Sequence, residues 1–336
     1  MTSPPPKGIY VPVPTFFKAD ASRGSLGDPV DLDSQTQHAI FLARAGITGL
    51  VLLGSTGEAV HLTTSERTDI IGAVRQGLVA EGFPNYPLMA GTAAQSIHEV
   101  VQQLADAKTA GADFGLVLAP SYFATNNLGQ EGIADWFKVV ADHSPIPILV
   151  YNYPAVSNDV TLLPSTIEKL AAHPNIVGCK LSHGNLSTHT LVGLSPKIDH
   201  TNFRMYTGLG QQLLGVLTVG GAGAIDGLAA CFPKTVVQLY NLFMDGEHGT
   251  VEQASVTRAR ELQYKICQGE LLVAKWGSVG VRKLLKEEYQ IGSDGSRAPL
   301  SGGITSNEWG QHKEAIEMLR ECESKIHFTG SYGKWQ

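Results

Sequence analysis

The sequence predicts a (β/α)8 barrel with a C-terminal helical appendage, and three observations carry that reading. Short β-branched runs ending in Gly, Ser, Tyr or Lys alternate strictly with longer stretches of helical period, the pattern of parallel strands joined by crossover helices. The runs number eight, and so do the helical stretches that follow them, which is the count of this barrel. After residue 246 the 336-residue chain continues in helical period, with no ninth strand.

In chain order, the first strand is Ile9 to Val13, and its helix runs from Asp33 to Ala45 up to Gly46, where a left-handed residue is wanted. Gly49 to Leu53 leads into a helix at Ser65 to Val79. Thr63-Thr64-Ser65-Glu66 reads there as a capping box with Thr63 as N-cap, and Gly82 follows the other end. Leu88 to Gly91 with Ile97 to Ala110, closed by Gly111, is the third unit, and Phe114 to Leu118 with Gln130 to His143 is the fourth. Ile148 to Tyr151 precedes a helix at Leu163 to Ala172, in which Pro164 suits the first helical position. The count closes with Ile176 to Lys180 and Leu186 to Leu194, Arg204 to Thr207 and Gly210 to Val219, and Gly223 to Ile225 and Thr235 to Met244. Further helical patterns lie at Val251 to Gln268, Val279 to Leu285 and Glu308 to Glu323. The expected division is a barrel over 1–246, a helical domain over 247–327 and a Gly-rich tail over 328–336, expected to be mobile.

Composition removes several classes of function. Lys and Arg total 25 against 31 Asp and Glu, so a net charge of -6 lacks the basic excess that a nucleic-acid backbone requires. The longest weakly polar stretch, Leu213 to Phe232, is broken by glycines and by Asp226, a poor membrane span. Cys179, Cys231, Cys267 and Cys322 form neither a C-x-x-C pair nor a disulfide framework, and the N-terminus shows no targeting pattern. Reduced thiols in a soluble, cytosolic protein are expected.

In such a barrel the chemistry sits at the C-terminal ends of the strands. Strand six closes on Ile176-Val177-Gly178-Cys179-Lys180, and its alternation aims Lys180 inward together with Gly178 and Ile176. Burial disfavours an ammonium, so an inward Lys180 is a nucleophilic amine able to condense with a ketone, whereas an outward one would merely reach solvent. Strand five closes on Tyr151-Asn152-Tyr153-Pro154, offering a phenol that either shuttles protons or is a hydrogen-bonded core tyrosine. Strand two closes on Gly54-Ser55-Thr56-Gly57-Glu58, a turn whose hydroxyls and N–H groups suit a carboxylate, though such a turn is often only a loop. Metal-assisted chemistry is the competing mechanism. The eleven histidines contain no H-x-H or H-E-x-x-H pattern, and His183 and His189 read as polar helix or loop residues, so no metal site is expected.

Taken in order, Gly54-Ser-Thr-Gly-Glu58, Tyr151-Asn-Tyr-Pro154 and Gly178-Cys-Lys180 resemble the dihydrodipicolinate synthase and N-acetylneuraminate lyase family, from about Gly8 to Glu323. The resemblance implies a pyruvate-dependent class I aldolase or lyase. Lys180 would form the Schiff base, Tyr151 shuttle protons, and Ser55 and Thr56 bind the pyruvyl carboxylate. Pro120-Ser121-Tyr122-Phe123 resembles the segment whose tyrosine reaches into a neighbouring subunit's site, which makes Tyr122 a relay residue of a homodimer or homotetramer. Gly208 and Ile225 match positions lining the pyruvate pocket.

One departure bears on substrate. Family synthases carry an arginine two residues after the proline of the tyrosine motif, and Val156 stands there in this chain. The pattern is closer to the keto-deoxy sugar acid aldolase branch. Asn158 replaces a common glycine, which a left-handed backbone would tolerate, and Ser157, Asn158 and Asp226 are expected to meet substrate hydroxyls. The expected function is cleavage of a 2-keto-3-deoxy sugar acid, such as 2-keto-3-deoxy-L-galactonate, to pyruvate and an aldehyde. It would need no cofactor beyond the imine on Lys180, and its partner would be a small keto acid, with neither nucleic acid nor membrane. Dihydrodipicolinate synthase, 4-hydroxy-2-oxoglutarate aldolase and a non-catalytic keto-acid-binding barrel are the alternatives.

Overall fold

A computed structural model describes residues 3–19, 27–123, 129–247, 253–300 and 303–327. Eight parallel strands, β1 (Gly8–Pro12), β2 (Gly49–Leu52), β3 (Leu88–Thr92), β4 (Phe114–Leu118), β5 (Ile148–Asn152), β6 (Ile176–Leu181), β7 (Arg204–Thr207) and β8 (Gly223–Ile225), pair in sequence order and close through β1 and β8. Each boundary lies within one residue of the sequence expectation. The surrounding helices are α1 (Leu32–Arg44), α2 (Thr64–Ala80), α3 (Ile97–Ala110), α4 (Gln130–His143), α5 (Pro164–Ala171), α6 (Leu186–Gly193), α7 (Leu213–Leu217) and α8 (Pro233–Glu247). The Thr63–Glu66 capping box is formed, and Gly46, Gly82 and Gly111 have φ of 88°, 87° and 109°, as left-handed helix ends require.

Strand alternation sorts the core into layers. Leu50 and Leu52 pack outward against helices while Val51 faces the lumen, and Ile148 and Val150 pack outward while Leu149 and Tyr151 face inward. The bottom of the lumen is plugged by Tyr10 and Tyr206, whose rings meet edge to face at 5.4 Å and whose hydroxyls donate to the Pro6 carbonyl at 2.9 and 2.8 Å. The barrel therefore opens at the C-terminal ends of its strands.

Three expectations are corrected. The seventh helical stretch splits into a 3-10 turn at Gly210–Gln212 and the short α7, because Gly210 must leave room for Asp226: an added Cβ would lie 2.4 Å from Asp226 Oδ1. The two stretches before and after Gly269–Ser278 are one long helix, α9 (Gln253–Tyr289), which passes through a non-helical residue, Gly277, at φ 52° and ψ -133°. The pattern read at 308–323 is two helices, α10 (Ser306–Gly310) and α11 (Lys313–Lys325), the first opened by a Thr305–Glu308 capping box. Val251 and the tail 328–336 lie outside the described residues. Helix α9 packs along α8 and α11 and over the 3-10 turns that follow β7 and β8, which brings its middle above the barrel mouth. Among the described residues no helix is long and apolar enough to cross a membrane.

Candidate active site

Strand β6 does not reach the site by simple alternation. Ile148 pairs with Ile176, but the next residue, Leu149, pairs with Gly178, so Val177 is an extra residue on β6. Ile176 accordingly packs outward among the helices and Val177 points into the lumen, which corrects the expected inward Ile176. Past the bulge the alternation resumes in the opposite phase: Cys179 and Leu181 face the helices and Lys180 faces the lumen, in register with Tyr151 on one side and Tyr206 on the other. Two glycines make this possible. A Cβ at Gly178 would come within 2.4 Å of the Arg204 carbonyl oxygen, and one at Gly208 would lie 1.8 Å from Ser182 Oγ and 2.9 Å from Lys180 Cε.

Lys180 is 4% exposed, and its Nζ lies 4.5 Å from the centroid of the Tyr151 ring. No salt-bridge partner lies within reach among the described residues, and burial pulls its pKa down to about 7 against the opposing pull of the Asp226 charge. A substantial fraction of the amine is thus neutral near pH 7. The Tyr151 phenol is pushed up to about 12 by burial, with its 3.2 Å hydrogen bond to Ser55 Oγ opposing, so it is a proton donor at rest.

The turn after β2 is held from behind. Leu53 and Glu58, neither a glycine, have φ of 60° and 52° at its two ends, a strained backbone that its surroundings must impose. Gly91 of β3 allows the close approach, since a Cβ there would lie 2.3 Å from the Leu53 carbonyl oxygen. Buried Glu58 forms an ion pair with Arg282 of α9 and accepts from Ser278 Oγ at 2.7 Å, while Thr15 Oγ1 donates to the Gly57 carbonyl at 2.5 Å. These bonds fix the backbone and leave Ser55 and Thr56 facing the cavity.

The cavity at the mouth holds about 430 Å³, and the structure brings Lys180, Tyr151, Ser55, Thr56, Gly208 and Ile225 together in its lining. Tyr122 is elsewhere: it is 74% exposed beside exposed Phe123, on a segment fixed by Gln95 Oε1, which accepts from the N–H groups of Ser121 and Tyr122 at 2.8 and 2.9 Å. Val156 lines the cavity, with no guanidinium in its place. The other three residues expected to meet substrate are spent on structure. Ser157 Oγ donates to the Tyr153 carbonyl at 2.8 Å, Asn158 (φ 46°) donates from Nδ2 to the Ser121 carbonyl at 3.1 Å, and Asp226 is fully buried.

Sequence reasoning missed the roof of the site. Glu270, Val273, Trp276 and Ser278 of α9 line the cavity together with Tyr153 and Gln211. The only sequence signal for them is the break in helical pattern at Gly269–Ser278, which marks where the helix departs from ordinary geometry. His183 and His189 pack with ring centres 5.0 Å apart, and burial and the neighbouring ring lower His183 to about 4. Among the described residues no three His, Cys, Asp or Glu side chains are gathered as metal ligands.

The chemistry this arrangement offers is a neutral amine, a phenol beside it and a hydroxyl-bearing turn for an anion, in one sheltered cavity. Comparisons with known proteins point the same way. The protein named "Probable 4-hydroxy-2-oxoglutarate aldolase, mitochondrial" of Emericella nidulans is 34% identical over 95% of this chain and 97% of its own length. The L-threo-3-deoxy-hexylosonate aldolase of Aspergillus niger is 31% identical over 88% of this chain and 89% of its own. A crystal structure of an E. coli K12 prophage protein of the dihydrodipicolinic acid synthase family, in complex with pyruvate, superposes with a TM-score of 0.78 at 25% identity, covering 94% of this chain and 98% of that one. The family model for dihydrodipicolinate synthetases matches residues 7–277, from the first strand to the kink of α9, and the chain belongs to the dihydrodipicolinate synthetase family.

Proposed function

We propose that this chain is a class I aldolase that cleaves a 2-keto-3-deoxy sugar acid to pyruvate and an aldehyde through an imine on Lys180. The observation that carries the reading is the buried, partly neutral Lys180 amine, without a carboxylate partner among the described residues and 4.5 Å from the Tyr151 ring centre. The C1 carboxylate of the substrate is held by the Ser55–Thr56 turn, which directs the C2 carbonyl to Lys180. The amine adds to C2, and Tyr151 protonates the departing hydroxyl, leaving water, a protonated imine and a phenolate stabilised by that cation. The phenolate takes the C4 hydroxyl proton as the C3–C4 bond breaks and its electrons enter the imine. An aldehyde and an enamine result. Tyr151 then protonates the enamine at C3, and hydrolysis releases pyruvate and restores both residues. No cofactor enters this sequence.

The activities for which these relatives are named support a keto-acid aldolase. Val156 favours a polyhydroxy tail over aspartate semialdehyde, because a second carboxylate entering the mouth would find no guanidinium there. The exposed Tyr122–Phe123 pair, with ring centres 5.2 Å apart, supports a homo-oligomer in which Tyr122 completes the relay of a second copy.

Borohydride added with pyruvate tests the chemistry: the reduced adduct is expected on the peptide carrying Lys180 and absent from Lys180→Ala. An adduct on another lysine in an active enzyme would refute the assignment. For the substrate, pyruvate release from 2-keto-3-deoxy-L-galactonate is expected to exceed condensation with aspartate semialdehyde by orders of magnitude in kcat/KM, with both assayed in one buffer.

A further inference from the structure

Helix α9 brings the cavity one ionisable group that the reaction above does not use. Glu270 stands in the cavity wall at 5% exposure, and Asp226, next to it at the end of β8, is fully buried. Glu270 Oε1 accepts from the Leu228 N–H at 3.3 Å and Asp226 Oδ2 from the Ala229 N–H at 3.0 Å, so adjacent N–H groups of one turn hold both carboxyls. Asp226 Oδ1 is buried with no hydrogen-bond partner among the described residues, and a proton on Glu270 would satisfy it. Burial, with the Asp226 charge added, holds Glu270 well above the ordinary carboxylate range. Two carboxyls this buried share a proton more readily than either would hold one alone, and no ion pair among the described residues offsets the charge that remains. The loop after β7 is shaped around it, since the bare Gly210 leaves the space that Asp226 Oδ1 occupies.

We propose that the Glu270–Asp226 carboxyl pair is a charge filter for substrate, admitting keto acids whose only carboxylate is C1 and whose tail carries neutral hydroxyls, and rejecting dianionic keto acids. The proposal rests on the aldolase reading and deepens it. With its proton given to Asp226, Glu270 offers a substrate tail only an acceptor, which a hydroxyl can satisfy and a carboxylate cannot. Lys180 is the single cation in the described lining and is used by the imine, and Arg282 is committed to Glu58. A second carboxylate would thus meet negative charge with nothing to offset it.

The test is the ratio of kcat/KM for pyruvate release from 2-keto-3-deoxy-L-galactonate, a monoanion, to that from 4-hydroxy-2-oxoglutarate, a dianion, in wild type, Asp226→Asn and Glu270→Gln. Wild type is expected to favour the monoanion, and each variant to narrow the ratio at least tenfold, mainly by lowering KM for the dianion. Any change at the Lys180 amine affects both substrates alike and cancels in the ratio. A ratio unchanged in both variants, or a wild type that prefers the dianion, overturns the filter while leaving the aldolase standing. Pyruvate from neither substrate takes both readings down together. Should the variants fold poorly, inhibition of wild type decides alone: 2-oxopentanoate is expected to bind at least tenfold more tightly than dianionic 2-oxoglutarate, and the reverse order overturns the proposal.

Discussion

Strands β5 and β6 bring a phenol and an amine to the same level of the barrel, and they do so by different means. Strand β5 uses uninterrupted alternation, so the inward position of Tyr151 follows from that of Leu149 two residues earlier. Strand β6 begins with Ile176 outward, and unbroken alternation would carry Lys180 outward as well, into the helix layer. The extra residue Val177 reverses the phase and sets Lys180 opposite Tyr151. A residue's position in a strand is therefore a property of the register, and the uptake of Val177 in a bulge decides whether the amine faces the cavity or the apolar packing of the helix layer.

Shifting that register past the bulge is the most severe way to break the comparison. Inserting one alanine between Cys179 and Lys180, which turns Lys180 outward, is expected to abolish turnover and borohydride labelling of Lys180 with pyruvate, and to destabilise the barrel, because it forces a lysine among apolar helix contacts. Lys180→Ala is expected to lose turnover while remaining folded, as circular dichroism would show, which separates loss of the amine from loss of the register. On the β5 side, Tyr151→Phe keeps the ring and removes the hydroxyl proposed to shuttle protons, with an expected loss of ~10²–10⁴ in kcat.

A milder disturbance sharpens the contrast. Gly208→Ala puts a methyl against Ser182 Oγ and Lys180 Cε, so it should displace the amine and cost about 10²-fold in kcat, while Tyr151 retains its bond to Ser55. Retained activity would show that the amine has more latitude than its packing suggests. The smallest effect is on stability. Burial lowers the Lys180 pKa from its ordinary 10.5 to about 7, so the unfolded chain binds that proton more readily, and stability falls as pH drops from 10.5 to 7. Lys180→Met should therefore raise the melting temperature at pH 6 to 7, with the advantage fading above pH 10.5; thermal melts of both proteins across that range measure it.

The periodic features of the molecule were readable from sequence. Eight β-branched runs fixed the barrel, and Gly46, Gly82 and Gly111 with the Thr63–Glu66 box fixed helix ends, because local chemistry alone determines them. The strand-end residues Lys180, Tyr151, Ser55 and Thr56 were readable for the same reason, since strand direction decides which end bears the site. What escaped depends on packing between distant segments. The bulge at Val177 shows only in pairing with β5, and the middle of α9 carries Gly269 and Gly277, which weaken the helical pattern over the stretch that roofs the cavity. Ser157, Asn158 and Asp226 have side chains fit for substrate, and only the fold reveals that the first two are bonded to backbone and the third is buried behind Glu270.

The ion pair between Glu58 and Arg282 spans 224 positions of the chain, and it imposes an order in time. On the ribosome, all eight strands emerge before the residue that braces the turn after β2, so a newly made barrel carries its lysine and its phenol before that turn is held in place. The turn bearing Ser55 and Thr56 is thus braced only once α9 docks. Pulsed hydrogen exchange during refolding would read that order as late protection of the amides in the Gly57–Glu58 segment relative to those of the strands.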